Sequence, residues 1–255
     1  MKFRSSSVAA LFTGTDGLTA VQQRDLDDLL SKIKLTDKQA EKRDELIAKR
    51  DAPIELSQGA KSLVEDIVDQ EVYKYKKSFG NKQTEKGTRV EDDSIEVYNR
   101  LFFTNHKKLV EGDKYAELSV DLLSGHPDVL SISDKKVIDI KSSWDKSTFP
   151  KLPEQAKNST YEWQVKSYLY MMSVITGEKW SKGEIAFVLV NTPEDLLNEW
   201  DEESLHYVDD IEDNLRVTIV DVELTNDDIV FIERRLSAAL KYSEEYRNKI
   251  IGKNK

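Results

Sequence analysis

Asp121-Leu-Leu-Ser-Gly-His-Pro-Asp-Val-Leu-Ser-Ile-Ser-Asp-Lys-Lys-Val-Ile-Asp-Ile-Lys-Ser-Ser-Trp144 is the stretch around which the chain is organised. Two short β-branched runs, Val129–Ile132 and Val137–Ile140, flank a polar turn at Ser133–Lys136, the pattern of a β-hairpin. Strand side chains alternate between faces, so Asp139 and Lys141 point one way and Ile138 and Ile140 the other. Asp128, just before the first strand, can approach Asp139 across the pair. Two carboxylates and an ammonium then converge at the end of the hairpin.

Two adjacent carboxylates repel, and burying either without a partner is costly. A divalent cation resolves the conflict, since magnesium and manganese prefer hard oxygen ligands. A lysine beside them can orient or deprotonate a water, or stabilise charge developing on a phosphate.

Two further motifs stand on predicted helices. A helix expected over Gln83–Thr104 places Glu91 on one face with Ile95, Tyr98 and Phe102, while Asp92, Asp93 and Glu96 lie largely outside it. A carboxylate on an apolar stripe needs a partner, either a metal ion or a lysine at the helix edge. Tyr161, Gln164, Val165, Tyr168, Leu169 and Met172 define an amphipathic helix, on which Gln164 and Tyr168, four residues apart, share a face.

Pro127-Asp128 followed by Asp139-Ile140-Lys141 resembles the signature of the PD-(D/E)XK nuclease superfamily. Gly125 before it, Ser142-Ser143 after it and Gly87-Thr88-Arg89-Val90-Glu91 resemble the phage exonuclease branch, with lambda exonuclease and the YqaJ-type and RecB-like nucleases. The Gln164/Tyr168 pair is similar to the Gln-x-x-x-Tyr element of the RecB-like members. The resemblance extends over most of Leu56 to Leu240.

It implies a restriction-endonuclease-like core and metal-dependent hydrolysis of DNA phosphodiesters, exonucleolytic and linked to phage-type recombination or repair. By the same resemblance Glu91, Asp128 and Asp139, with the main-chain carbonyl of Ile140, would hold one or two Mg2+ ions, and Mn2+ would substitute. Lys141 would position or activate the water; Gln164 and Tyr168 would orient Lys141 or the scissile strand. Arg4 with Ser6 or Ser7, at the start of an expected short helix, would grip a DNA 5′-phosphate. The implied partners are duplex DNA ends, a single-strand annealing protein and further copies of the chain as a homo-oligomer. A structure-specific or single-strand endonuclease would use the same site, and an inactive DNA-binding or assembly module would share the fold.

Composition narrows the field. The 255 residues, 38% hydrophobic and 34% charged, suit a soluble single domain with a well-buried core. With no cysteine, disulfides, thiolate zinc sites and cysteine-ligated iron–sulfur clusters are excluded. No apolar run reaches transmembrane length, and the apolar patch after Met1-Lys2-Phe3-Arg4 ends at Thr13-Gly14-Thr15-Asp16, too early for a secretory signal. A cytoplasmic protein is expected. The net charge of −10 weighs against a broad DNA-coating surface and leaves room for a local basic groove.

The remaining segments frame this core. Residues 19–50 form an expected protruding helical hairpin, its second helix opened by a capping box at Thr36–Gln39 and stopped near Pro53. Ala60, Leu63, Val64, Ile67, Val68 and Val72 mark a core helix. The basic run from Tyr73 to Lys86 fits either a phosphate track or a solvated helix end. His106 is either a phosphate contact or a solvated loop residue, and His126 shapes the Pro-Asp turn. Strands are expected over 114–120, 184–191 and 216–224, the last at an edge, then a helix capped by Thr225–Asp228. The fold class expected is α/β: a mixed central sheet flanked by helices, with an N-terminal helical insertion.

Overall fold

The computed structural model describes residues 1–13, 18, 20–52, 54–77 and 80–253. In chain order its elements are β1 (Phe3–Arg4), a 3-10 turn (Val8–Ala10), α1 (Ala20–Ser31), α2 (Asp37–Asp51), α3 (Gln58–Val72), α4 (Lys82–Arg89), α5 (Glu91–Phe102), β2 (Leu118–Val120), β3 (Leu123–Gly125), β4 (Val129–Ser131), β5 (Lys136–Ser142), α6 (Pro153–Ala156), α7 (Ser159–Thr176), β6 (Lys182–Val188), α8 (Glu203–His206), β7 (Val217–Glu223) and α9 (Asn226–Gly252). They fall into two compact units. The first comprises residues 1–9 and 74–229, the second residues 10–73 and 230–255.

The first unit holds both sheets. Four strands run in the order β4-β5-β6-β7: β4 and β7 are antiparallel to their neighbours, and β5 and β6 are parallel, joined through α7. Period-two alternation sorts the side chains of β5. Ile138 and Ile140 pack with Val90, Ile95, Val97 and Tyr98 of the α4–α5 segment. The other face meets α7: a Cβ on Gly183, which pairs with Val137, would lie 2.4 Å from Val165 and 3.3 Å from Leu169. Helices thus cover both faces, as expected, and β7 is an edge strand.

Three local expectations need correction. The single helix over 83–104 is two helices, broken at Val90 (φ −109°, ψ 17°). Gly87, Thr88 and Val90 are weak helix formers, and Glu91, Asp92 and Asp93 favour a fresh helix N-terminus. The strand expected over 114–120 is present but confined to Leu118–Val120, and it forms a tight hairpin with β3, turning at Asp121 with φ 47°, a left-handed conformation that aspartate adopts more readily than most residues. The N-terminus opens as a strand rather than a helix. Phe3 and Arg4 pair in parallel with Leu123 and Ser124, giving a three-stranded sheet β1-β3-β2, and among the described residues a 3-10 turn at Val8–Ala10 follows.

The second unit is helical. The Thr36–Gln39 capping box is present, and α1 and α2 close on each other through Leu26, Leu29 and Leu46, with Leu18, Leu35 and Ile47 beside them. The expected hairpin therefore has an apolar seam of its own. Pro53 lies outside the described residues. Tyr242 and Tyr246 of α9 donate to Glu65 and Asp69 of α3. Among the described residues no helix is long and apolar enough to cross a membrane.

Candidate active site

The register Val129↔Ile138, continued by one step, sets Asp128 opposite Asp139. Asp139 is fully buried, and Lys141 Nζ stands 2.6 Å from its Oδ2. Neither carboxylate oxygen of Asp139 accepts a well-aligned hydrogen bond. Asp128 keeps partial access to solvent. Its Oδ2 accepts the Ile140 N–H at 2.7 Å, and its main-chain carbonyl accepts the Leu109 N–H at 3.0 Å. On the α7 side the Lys141 ammonium lies 5.0 Å from the centre of the Tyr161 ring, a cation–π arrangement.

The electrostatics follow from this crowding. Burial, and then the charge of Asp139, push the Asp128 carboxyl up to about 8. Burial likewise raises Asp139, with Lys141 working against it. For Lys141 burial disfavours the ammonium, but the two carboxylates outweigh it and its pKa stands above the ordinary lysine value. Without a cation the carboxylate pair therefore retains a proton near neutrality. It belongs to the pair rather than to either residue.

α7 braces this arrangement from below. Gln164 and Tyr168 are both buried. Gln164 Nε2 donates to the Tyr168 hydroxyl at 3.2 Å, which donates to the His126 carbonyl at 3.0 Å. The pair thus supports the turn leading into Pro127-Asp128. Gly125 is required by the same packing: a Cβ there would sit 2.5 Å from Tyr168 Cε1 and 2.6 Å from Ser5 Oγ.

The N-terminal residues come close along the backbone. Arg4 pairs with Ser124, four residues before Asp128, and its side chain is exposed. Ser6 and Ser7 are exposed, and Ser7 Oγ bonds the Arg4 carbonyl at 3.2 Å. Ser5 is the buried member of the trio, and its Oγ donates to the Ser124 carbonyl. Arg4 is presented by a strand edge, since no α-helix N-terminus exists here.

Glu91 heads α5, where its carboxylate is paired with Lys108 at 2.8 Å. Among the described residues no three His, Asp or Glu side chains converge closely enough to hold a metal ion together. Asp128 and Asp139 still fit a hard divalent cation by donor type and by the buried oxygens of Asp139, which are met by the Lys141 ammonium. The third carboxylate is engaged elsewhere in this conformation.

Two residues with roles around the site, Lys108 and Tyr161, went unrecognised in the sequence, and Lys86, read there as the end of a phosphate track or solvated helix end, is buried instead. Lys108 neutralises Glu91. Tyr161 covers Lys141. Lys86, 1% exposed, donates to the carbonyls of Ser143, Trp144 and Val190 at 2.7–2.9 Å, tying α4 to the point where the chain leaves β5. Burial lowers its pKa to about 8. None carries a local signal, because each partner is distant in sequence or main chain. His106 is half-buried with its backbone held by Asn99, and burial lowers its pKa.

The fold, a mixed sheet covered by helices, is similar to those of solved exonuclease structures. A phage-related exonuclease from Haemophilus somnus 129PT superposes with a TM-score of 0.74 at 23% identity, over 98% of this chain and 96% of that one. The alkaline exonuclease LHK-Exo from Laribacter hongkongensis gives 0.58 at 14% identity, covering 99% and 93%. The same enzyme in complex with dAMP gives 0.55 at 15%, covering 100% and 95%. Neither a family model nor a curated protein sequence matches the chain.

Proposed function

We propose that the chain is a metal-dependent deoxyribonuclease that degrades DNA from its ends. The observation that carries this reading is the buried Asp128/Asp139 pair with Lys141 against it, on the central hairpin of an exonuclease fold. In this reading Asp128, Asp139 and the Ile140 carbonyl hold Mg2+ or Mn2+, and Glu91 joins them when released from Lys108. A bound cation would supply charge neutralisation for the carboxylates, an acidified water and an electrostatic clamp on the phosphate.

The protein's own groups do the rest. Lys141, fixed between Asp139 and the Tyr161 ring, is placed to hold the attacking water or to meet charge developing on the phosphate. Tyr168, set by Gln164, fixes the His126 carbonyl and with it the approach of Asp128. Arg4 offers a guanidinium fork beside this turn that suits the dianion of a 5′-terminal phosphate. That LHK-Exo binds dAMP supports a nucleotide-sized product here too.

The experiment is digestion of end-labelled linear duplex and of covalently closed circular DNA, with magnesium or with chelator. Mononucleotide release from linear DNA in magnesium alone is expected. Cutting of the circle would favour the endonuclease alternative, and no cleavage of either substrate would refute an enzymatic role.

A further inference from the structure

Each carboxylate of the site is already answered by a group of this chain: Asp139 by the Lys141 ammonium at 2.6 Å, Asp128 by the Ile140 N–H at 2.7 Å, and Glu91 by the Lys108 ammonium at 2.8 Å. The first two are local to the hairpin. The third comes from the segment after α5, which is pinned to the site because the next residue, Leu109, donates its N–H to the Asp128 carbonyl. That bond holds the Lys108 main chain beside the site and leaves its long side chain room to swing. Its side chain is 28% exposed and that of Glu91 17%, so the pair sits at the mouth of the site, neither sealed nor fully screened. Lys107 beside it is exposed.

We propose that Lys108 is a resident counter-cation for Glu91 that a divalent cation must displace, and that the released ammonium then takes a phosphate oxygen of the nucleic-acid strand. This rests on the metal-site reading above. The exchange needs no proton transfer. Glu91 passes from a monovalent ammonium to a divalent ion, and the ammonium passes from one anionic oxygen to another while its backbone stays anchored on Asp128. Cation binding and strand binding are thereby coupled: loading the site frees the lysine that grips the substrate, and by reciprocity a bound strand strengthens cation binding. Without cation, Glu91 keeps Lys108 from the strand.

The test uses the intact chain and two cations. Manganese affinity is measured calorimetrically without DNA for wild type, Lys108→Met, Lys107→Met and Asp139→Asn. Lys108→Met should bind manganese roughly two- to fivefold more tightly, the worth of a partly exposed ion pair, and Lys107→Met should change it by less than about twofold, since it deletes the same charge without touching Glu91. Lys108→Arg, which preserves the pair, should not tighten binding. Duplex affinity is then measured with saturating calcium and in chelator. Lys108→Met should weaken binding roughly threefold or more in calcium and leave it unchanged in chelator.

A gain in manganese affinity no larger than that of Lys107→Met, or a DNA effect equal with and without calcium, overturns the proposal. Failure of the underlying site assignment looks different. There Asp139→Asn would bind manganese as well as wild type does, whatever Lys108→Met did.

Discussion

Replacing Asp128 by asparagine relieves the like-charge pair at the centre of the site while keeping an acceptor for the Ile140 N–H. In the cation-free protein this should be stabilising, and the sign follows from the pKa. The folded chain holds a proton on the pair up to about pH 8, whereas an unfolded aspartate releases it near pH 4. Between those values the folded state binds more protons, so wild-type stability must fall as pH rises through that window. At about 1.4 kcal/mol per pH unit between the two values, the limit is roughly 5–6 kcal/mol; the solvent access of Asp128 brings the expectation to about 2–3 kcal/mol.

His106, whose pKa burial lowers, pulls the other way below about pH 6.5 and is common to both proteins, so the difference between variant and wild type isolates the pair. Urea unfolding in chelator, followed by circular dichroism at pH 4.5, 6 and 8, measures it. The variant should exceed wild type most at pH 8 and match it near pH 4. Magnesium should close that gap by stabilising only the protein that binds it, by about 2.7 kcal/mol at one hundred times the dissociation constant. A wild-type stability that is flat from pH 5 to 8, or a variant less stable than wild type at pH 8 in chelator, would show that the two carboxylates do not oppose each other.

Lys141→Ala should not weaken manganese binding in calorimetry and should lower turnover by at least about a hundredfold, the contribution typical of a positioned acid–base group; Lys141→Arg should not rescue it. Unchanged turnover with a raised KM would make Lys141 a phosphate contact instead. Arg4→Ala should abolish any preference of the protein for 5′-phosphorylated over 5′-hydroxyl duplex ends while slow cleavage persists, as gel assays on the two substrates would show. Gly125→Ala forces a methyl against Tyr168 and Ser5 and should cost about 1–3 kcal/mol. If Gly125→Ala combined with Tyr168→Leu regains none of that stability in urea melts, the close contact is not the cause.

Local periodicity made the central hairpin legible. Alternation along Val137–Lys141 places Asp139 and Lys141 on one face and the isoleucines on the other, and the turn length sets Asp128 opposite Asp139. Helical spacing likewise put Gln164 and Tyr168 together. These are consequences of backbone geometry within a few residues, and the tertiary structure had little freedom to alter them.

What lies beyond that range could not be read this way. The strand at Phe3–Arg4 is two residues long and exists only because Leu123–Ser124 offers an edge; no periodicity can show itself in two residues. The helix break at Val90 balances weak helix formers against a core contact. Whether Glu91 faces a metal or a lysine was open from its place on an apolar stripe, and Lys108 was brought within 2.8 Å of it by the path of the segment between α5 and β2. The Lys86 ammonium is held by carbonyls contributed by residues up to 104 positions away. The alternating and helical patterns by themselves determined which face each candidate side chain takes. Only the tertiary structure decided which distant charge meets it, because ion pairing depends on separations of a few ångströms that the chain sets by folding back on itself.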